Sequence, residues 1–111
     1  MTRAIDKVKP CTTMHDVRRE INALDDVLVP LLVERVGYMT QAARIKQDAS
    51  QVRDEARIKA IVERVRERTC AEGGDADVME AIYRSLMEAC IAYEHREFAR
   101  LREPASAGSA A

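Results

Sequence analysis

VRREINALDDVLVPLLVERVGYMTQAARIK, residues 17–46, decides the fold. Apolar side chains recur in it at Val17, Ile21, Leu24, Leu28 and Leu31, in steps of four, three, four and three. The same stripe passes through Arg35 and Tyr38 to Ala42 and Ile45. That spacing marks one face of an α-helix. Just upstream, Thr13-Met14-His15-Asp16 has the form of a capping box. The threonine hydroxyl accepts from the third helical N–H, and the acid suits the positive end of the helix dipole. The reading is one long helix over roughly residues 14–47, about 50 Å at 1.5 Å per residue. Pro30 and Gly37 oppose it, and an interior proline costs about 3 kcal/mol. The register of the stripe survives both residues, so the helix is expected to continue, with a bend allowed near Pro30.

Outward from this stretch the chain reads as two shorter helices. Residues 48–53 form a loop. Asp54 or Ser50 then caps a second helix that reaches about Cys70, with Ile58, Ile61, Val62 and Val65 on its apolar face. Glu72-Gly73-Gly74-Asp75 ends it and caps the next. A third helix is expected from about Ala76 to Arg102, with Met79, Ile82, Tyr83, Leu86, Cys90, Tyr93 and Leu101 turned inward. Residues 1–11 read as an irregular lead-in, 12–103 as a single helical domain, and 104–111 as a disordered tail. The fold class is therefore all-α, with three helices per chain. No strand or internal repeat is legible.

Composition narrows the function. The 18 Lys and Arg against 19 Asp and Glu leave a net charge of −1 in 111 residues. A domain that grips nucleic acid through its phosphates carries a basic excess, so nucleic acid is not expected as a partner. The start of the chain lacks an apolar leader, and no run approaches the ~18 apolar residues of a membrane span, so a cytoplasmic protein without membrane contact is expected. Cys11, Cys70 and Cys90 form no CxxC pair and have no histidine at ligand spacing. Neither a disulfide nor a metal is expected, and no cofactor is called for.

A helix of about 50 Å is too long for one compact chain of this size, whose radius of gyration should be about 13 Å. A dimer in which two long helices pack together resolves the conflict. Taken alone, that pattern also fits a coiled-coil or bundle module without chemistry.

Arg35 points elsewhere, because it falls where the stripe calls for an apolar residue. A guanidinium there is costly unless an anion meets it. The competing reading has it reach solvent or pair with Glu34 or Asp54. Lys46 follows eleven residues later, about 20° off the same face and about 16 Å along the axis. Arg18 lies about 42 Å from Lys46 and cannot share its site within one chain. If antiparallel helices cross near Pro30, Arg18 of the partner subunit arrives near residue 40, between the other two cations. Three converging cations suit a small dianion.

With these residues in view, the chain resembles the helical class of chorismate mutases. The resemblance rests on Val17 to Asp25, Leu31 to Arg35, Ala43 to Lys46 and Val52 to Arg57, and runs from about Cys11 to Arg102. It implies an intertwined homodimer with two sites, each built from both chains. It implies as activity the pericyclic rearrangement of chorismate to prephenate, which needs no nucleophile or cofactor. The enzyme holds a compact conformer and stabilises charge growing on the ether oxygen. By the same resemblance Arg35 and the partner's Arg18 bind carboxylates, and Lys46 donates to the ether oxygen and a carboxylate. Arg57 assists from the second helix, and the Asp54 region meets the ring hydroxyl.

Three positions depart from the family pattern. Ile58 stands where a glutamate usually receives the ring hydroxyl, and it also fits the core stripe of its helix. Glu94 stands where a glutamine often donates to the ether oxygen. A carboxyl donates only when protonated, so activity is expected to rise toward acid pH. Cys90 replaces a small polar residue, which suggests packing. Ile58 and the lead-in Cys11-Thr12-Thr13-Met14 look more like the related isochorismate pyruvate lyases, which release pyruvate and salicylate from isochorismate. Lyase chemistry is thus the alternative, and a non-enzymatic dimerisation module the third reading.

Overall fold

A computed structural model describes residues 2–104. Three α-helices account for most of them: α1, Met14–Ile45; α2, Glu55–Ala71; and α3, Ala76–Leu101. No strand occurs among the described residues. No helix there is long and apolar enough to cross a membrane.

α1 begins where its capping box places it. The Thr13 hydroxyl accepts from the Asp16 N–H at 3.1 Å, and the Asp16 carboxylate accepts from the Thr12 and Thr13 N–H groups at 3.1 and 3.3 Å. These bonds, the Thr12 backbone first, favour the charged acid and hold its pKa below the usual carboxylate range. The helix runs unbroken through Pro30 and stops at Ile45, because Lys46 adopts extended backbone with ψ 144°. α2 is capped by Asp54, whose carboxylate accepts from the Arg57 N–H at 3.0 Å. Asp75 caps α3 by accepting from the N–H groups of Asp77 and Val78.

The lead-in is more ordered than its sequence suggests. Ala4–Lys7 form a 3-10 turn. The Ile5 N–H donates to the Glu72 carbonyl at 3.1 Å, and the Ala4 N–H to the Glu72 carboxylate at 2.7 Å. This pins the lead-in to the α2–α3 turn. Gly73 makes the contact possible, since it sits at φ +78° and any Cβ there would collide with the Ile5 side chain. Of the tail expected at 104–111, only Pro104 lies within the described residues.

α3 packs against α1 on one side and α2 on the other, while α1 and α2 do not form a packed pair. The core is small: Ala43, Val52, Val62, Met87 and Cys90 are its buried apolar members. On the second half of α1 the covered side includes Leu32, Arg35, Val36, Met39, Thr40, Ala42 and Ala43. Of the expected continuation, Arg35 and Ala42 are half-buried, while Tyr38 and Ile45 are 61% and 66% exposed in the single chain. A stripe repeating every seven residues drifts about 20° per repeat around a straight helix. Over four repeats it moves almost one residue position, and the buried side is overtaken. On α3, Ile82 and Leu101 are likewise exposed rather than inward. Ile82 lies about 80° round the helix from Cys90, and Leu101 is the last helical residue.

The first half of α1 leaves the body of the chain. Ile21, Leu24, Leu28 and Leu31 are 47–68% exposed. The radius of gyration is 18.6 Å, with extents of 60 × 35 × 22 Å. A compact chain of this length would have about 13 Å.

At the other end, a polar cluster joins α1 to α3. The Thr40 hydroxyl donates to buried Glu97 at 2.7 Å, and Arg100 donates to both carboxylate oxygens at 2.7 and 3.0 Å. The Arg100 guanidinium first, then Thr40, holds the Glu97 pKa down to about 2. A depressed carboxyl stabilises the fold above its ordinary value near 4.5 and loses that contribution as pH falls toward 2. Glu97→Gln is therefore expected to lower the melting temperature at pH 7 and to flatten its fall between pH 4.5 and 2. Thermal melts across that range check this, and an unchanged acid slope contradicts it.

Candidate ligand-binding cleft

Because α1 ends at Ile45, Lys46 leaves the helix and turns its side chain toward α3. Its ammonium donates to the Glu94 carboxylate at 2.7 Å and to the Val52 carbonyl at 3.4 Å. Glu94 is almost fully buried, with 4% of its side chain exposed. The guanidinium of Arg102 donates to the Lys46 carbonyl at 2.5 Å and fixes the helix end from the tip of α3.

Arg35 approaches from one side of α1. Its Nη1 donates to the Cys90 sulfur at 3.4 Å, and its guanidinium carbon lies 5.7 Å from the centre of the Tyr83 ring. It pairs with neither Glu34 nor Asp54, so the internal ion pair weighed from sequence does not form. The Arg57 side chain, on the first turn of α2, likewise has no carboxylate partner among the described residues. Asp54 spends one oxygen on the α2 cap.

These groups surround a single cleft of about 320 Å³. Arg35, Lys46, Arg57, Asp54 and Glu94 supply its polar wall. Ile58 and Cys90 line it too, beside Met39, Ile61, Met87 and Ile91. Seven of the eight positions singled out from sequence thus meet in one place. The eighth, Arg18, is exposed on the free half of α1. At 28 residues before Lys46 it lies about 42 Å away along the helix.

The volume suits a small molecule, and the charges favour an anion. Lys46 and Glu94 neutralise each other as an ion pair. Arg35 and Arg57 face only Asp54, so one chain presents a surplus of one positive charge. A further arginine from outside would raise it to two, the complement of a dianion. Both guanidiniums can bind a carboxylate in the paired geometry that Lys cannot offer.

Sequence reasoning passed over the apolar lining from Met39, Met87 and Ile91, and the Val52 carbonyl that helps hold Lys46. Met39 is four residues beyond Arg35 and Met87 three before Cys90, spacings that put each pair on one helix face. The Val52 carbonyl carries no such signal, because it depends on how the loop closes.

The sequence pattern of the family described as chorismate mutase type II matches residues 17–95, well over half of the chain. The matched stretch opens one residue before Arg18 and closes one after Glu94. No curated protein sequence matches the chain.

Proposed function

The chain belongs to the chorismate mutase type II family, and from that premise we propose that it converts chorismate to prephenate in the cleft between α1, α2 and α3. The observation that carries this reading is the convergence of Arg35, Lys46, Arg57 and Glu94 on one small cleft with a positive surplus. A pericyclic rearrangement breaks and makes its carbon–oxygen and carbon–carbon bonds in one step. The protein contributes shape and charge alone.

In this reading Arg35 takes one substrate carboxylate and Arg18 of the partner subunit the other. Lys46 shifts its donation from Glu94 toward the ether oxygen, where negative charge grows in the transition state. Protonated Glu94 donates to the same oxygen. Arg57 closes the cleft from α2. The apolar wall supports the compact ring conformer and lowers the local dielectric, which strengthens each of these interactions. The homodimer belongs to the same proposal, supported by the exposed leucine and isoleucine stripe on the first half of α1.

A bicyclic dicarboxylate that mimics the transition state tests the site directly. At a hundredfold excess over its Kd it should stabilise the fold by about 2.7 kcal/mol, a rise of roughly 10 °C in Tm. A Tm that does not move would leave a helical dimerisation module as the better account.

One observation favours the isochorismate lyase reading. Ile58 lines the cleft together with Ile61 and Ile91, so the wall is apolar where the resemblance calls for a hydroxyl acceptor. Ile58→Glu is expected to raise kcat/KM for chorismate relative to isochorismate by about tenfold, the worth of roughly one added hydrogen bond. Paired rate measurements on the two substrates check it. An unchanged ratio would mean that residue 58 does not discriminate between them.

A further inference from the structure

Arg35, Arg57, Cys90 and Glu94 enter the cleft from within helices, so helical hydrogen bonds fix their backbone. Lys46 is placed differently. It is the first residue beyond α1, with extended backbone at ψ 144°. Its N–H still donates to the Ala42 carbonyl at 2.9 Å, but its own carbonyl points past the end of the helix. The ammonium sits at the tip of a flexible four-carbon stem. Where it can reach is set by how firmly this one residue of main chain is held.

Arg102, the residue that closes α3, does the holding. One guanidinium nitrogen donates to the Lys46 carbonyl at 2.5 Å, and the other to the Phe98 carbonyl at 3.1 Å. The guanidinium carbon lies 3.5 Å from the centre of the Phe98 ring. Arg102 thus bridges the C-terminal ends of two helices, where unpaired carbonyls and the negative ends of both dipoles favour a cation. A planar fork stacked on a ring can span two carbonyls, whereas an ammonium is a single point of charge. Glu94, Phe98 and Arg102 follow one another at intervals of four along one ridge of α3. That ridge therefore grips Lys46 twice, Glu94 by its side chain and Arg102 by its main chain.

We propose that Arg102 is a positioning residue for the reaction, clasping the main chain of Lys46 so that the ammonium stays on the reacting oxygen after it leaves Glu94. The inference rests on the mutase reading above and goes beyond it by naming what holds Lys46 when its ion pair opens. In the structure the ammonium is tied to Glu94 at 2.7 Å and only loosely to the Val52 carbonyl at 3.4 Å. Turning to substrate gives up the shorter of these bonds. The grip on the main chain is unaffected by that exchange, since it engages a different atom of Lys46. A displacement of about 1 Å at a reacting centre can cost up to a hundredfold in rate. Arg102 is well outside the cleft, so it acts on the rate only through Lys46.

A double-mutant cycle in the full chain tests this, read by turnover and by the Kd of the bicyclic dicarboxylate mimic. Arg102→Leu should lower kcat for chorismate about tenfold, keep KM within threefold and weaken the mimic about tenfold, the split expected of a contact realised in the transition state. In a Lys46→Ala background the same substitution should change the Kd of the mimic by less than twofold. Arg102→Lys keeps a cation at both helix ends without the fork, and should still lose at least threefold in kcat. An equal loss of mimic affinity in both backgrounds, full kcat in either Arg102 variant, or an Arg102→Leu protein that no longer folds by circular dichroism would each overturn the positioning role while the mutase reading stands. An unaltered protein that neither turns over chorismate nor binds the mimic would overturn that reading, and the role of Arg102 with it.

Discussion

Replacing Arg35 with alanine is expected to lower kcat/KM for chorismate by about a thousandfold and to leave a folded protein. The first half of that expectation follows from the role proposed for a guanidinium held unpaired toward a dianion. Removing one preorganised donor to developing or bound charge costs on the order of a hundred- to a thousandfold. The second half follows from what Arg35 touches within the chain. Its contacts are a thiol at 3.4 Å and a tyrosine ring at 5.7 Å, with no carboxylate left behind when it goes. A cation over an aromatic ring contributes about 0.5–1 kcal/mol at such a site. Circular dichroism and a Tm within a few degrees of the unaltered protein, alongside the lost activity, check both halves. A variant that unfolds would make Arg35 a structural residue and withdraw it from the site.

The second large effect concerns Glu94. Its carboxylate accepts from Lys46 at 2.7 Å. Two things must change for catalysis in the proposed form: Lys46 turns its donation to substrate, and Glu94 takes up a proton so that it donates too. kcat/KM is therefore expected to rise toward acid pH, since a carboxyl donates only when protonated. Glu94→Gln carries a permanent amide donor and should run flat over the same range. A profile already flat for the unaltered protein would remove the protonated carboxyl from the mechanism.

These roles were legible in the sequence to the extent that they depend on local rules. The α1 start and the Asp54 and Asp75 caps follow from side chain–backbone bonds within three residues, and the glycine-ended turn from the positive φ that Gly73 supplies. Arg35 and Lys46 were legible because a charged residue on an apolar helix face stands out against its neighbours, whereas Arg57 and Glu94 came only through the resemblance to the family. What escaped depends on distance in space. Tyr38 and Ile45 were misplaced because a seven-residue rhythm was extrapolated past the point where a straight helix leaves it behind. The lead-in was read as irregular because its order comes from Glu72, 68 residues from Ala4. Buried Glu97 was missed since a glutamate announces solvent, and only Thr40 and Arg100 make its burial tolerable.

Two of the three departures from the family pattern belong to the apolar lining of the cleft. Ile58 and Cys90 both line the cleft, and both replace polar contacts with weaker or apolar ones. The cationic part of the cleft is common to any chorismate-like dianion. The choice between chorismate and isochorismate rests on the ring hydroxyl, and hence on this wall. That division explains why the charge pattern alone names a substrate class and leaves the product to experiment.

The most direct test gives the purified protein chorismate and isochorismate in separate reactions and follows prephenate, salicylate and pyruvate. The account predicts prephenate from chorismate as the dominant reaction, by at least tenfold in kcat/KM. Dominant formation of salicylate and pyruvate from isochorismate would contradict it and make the apolar wall at Ile58 the mark of a lyase.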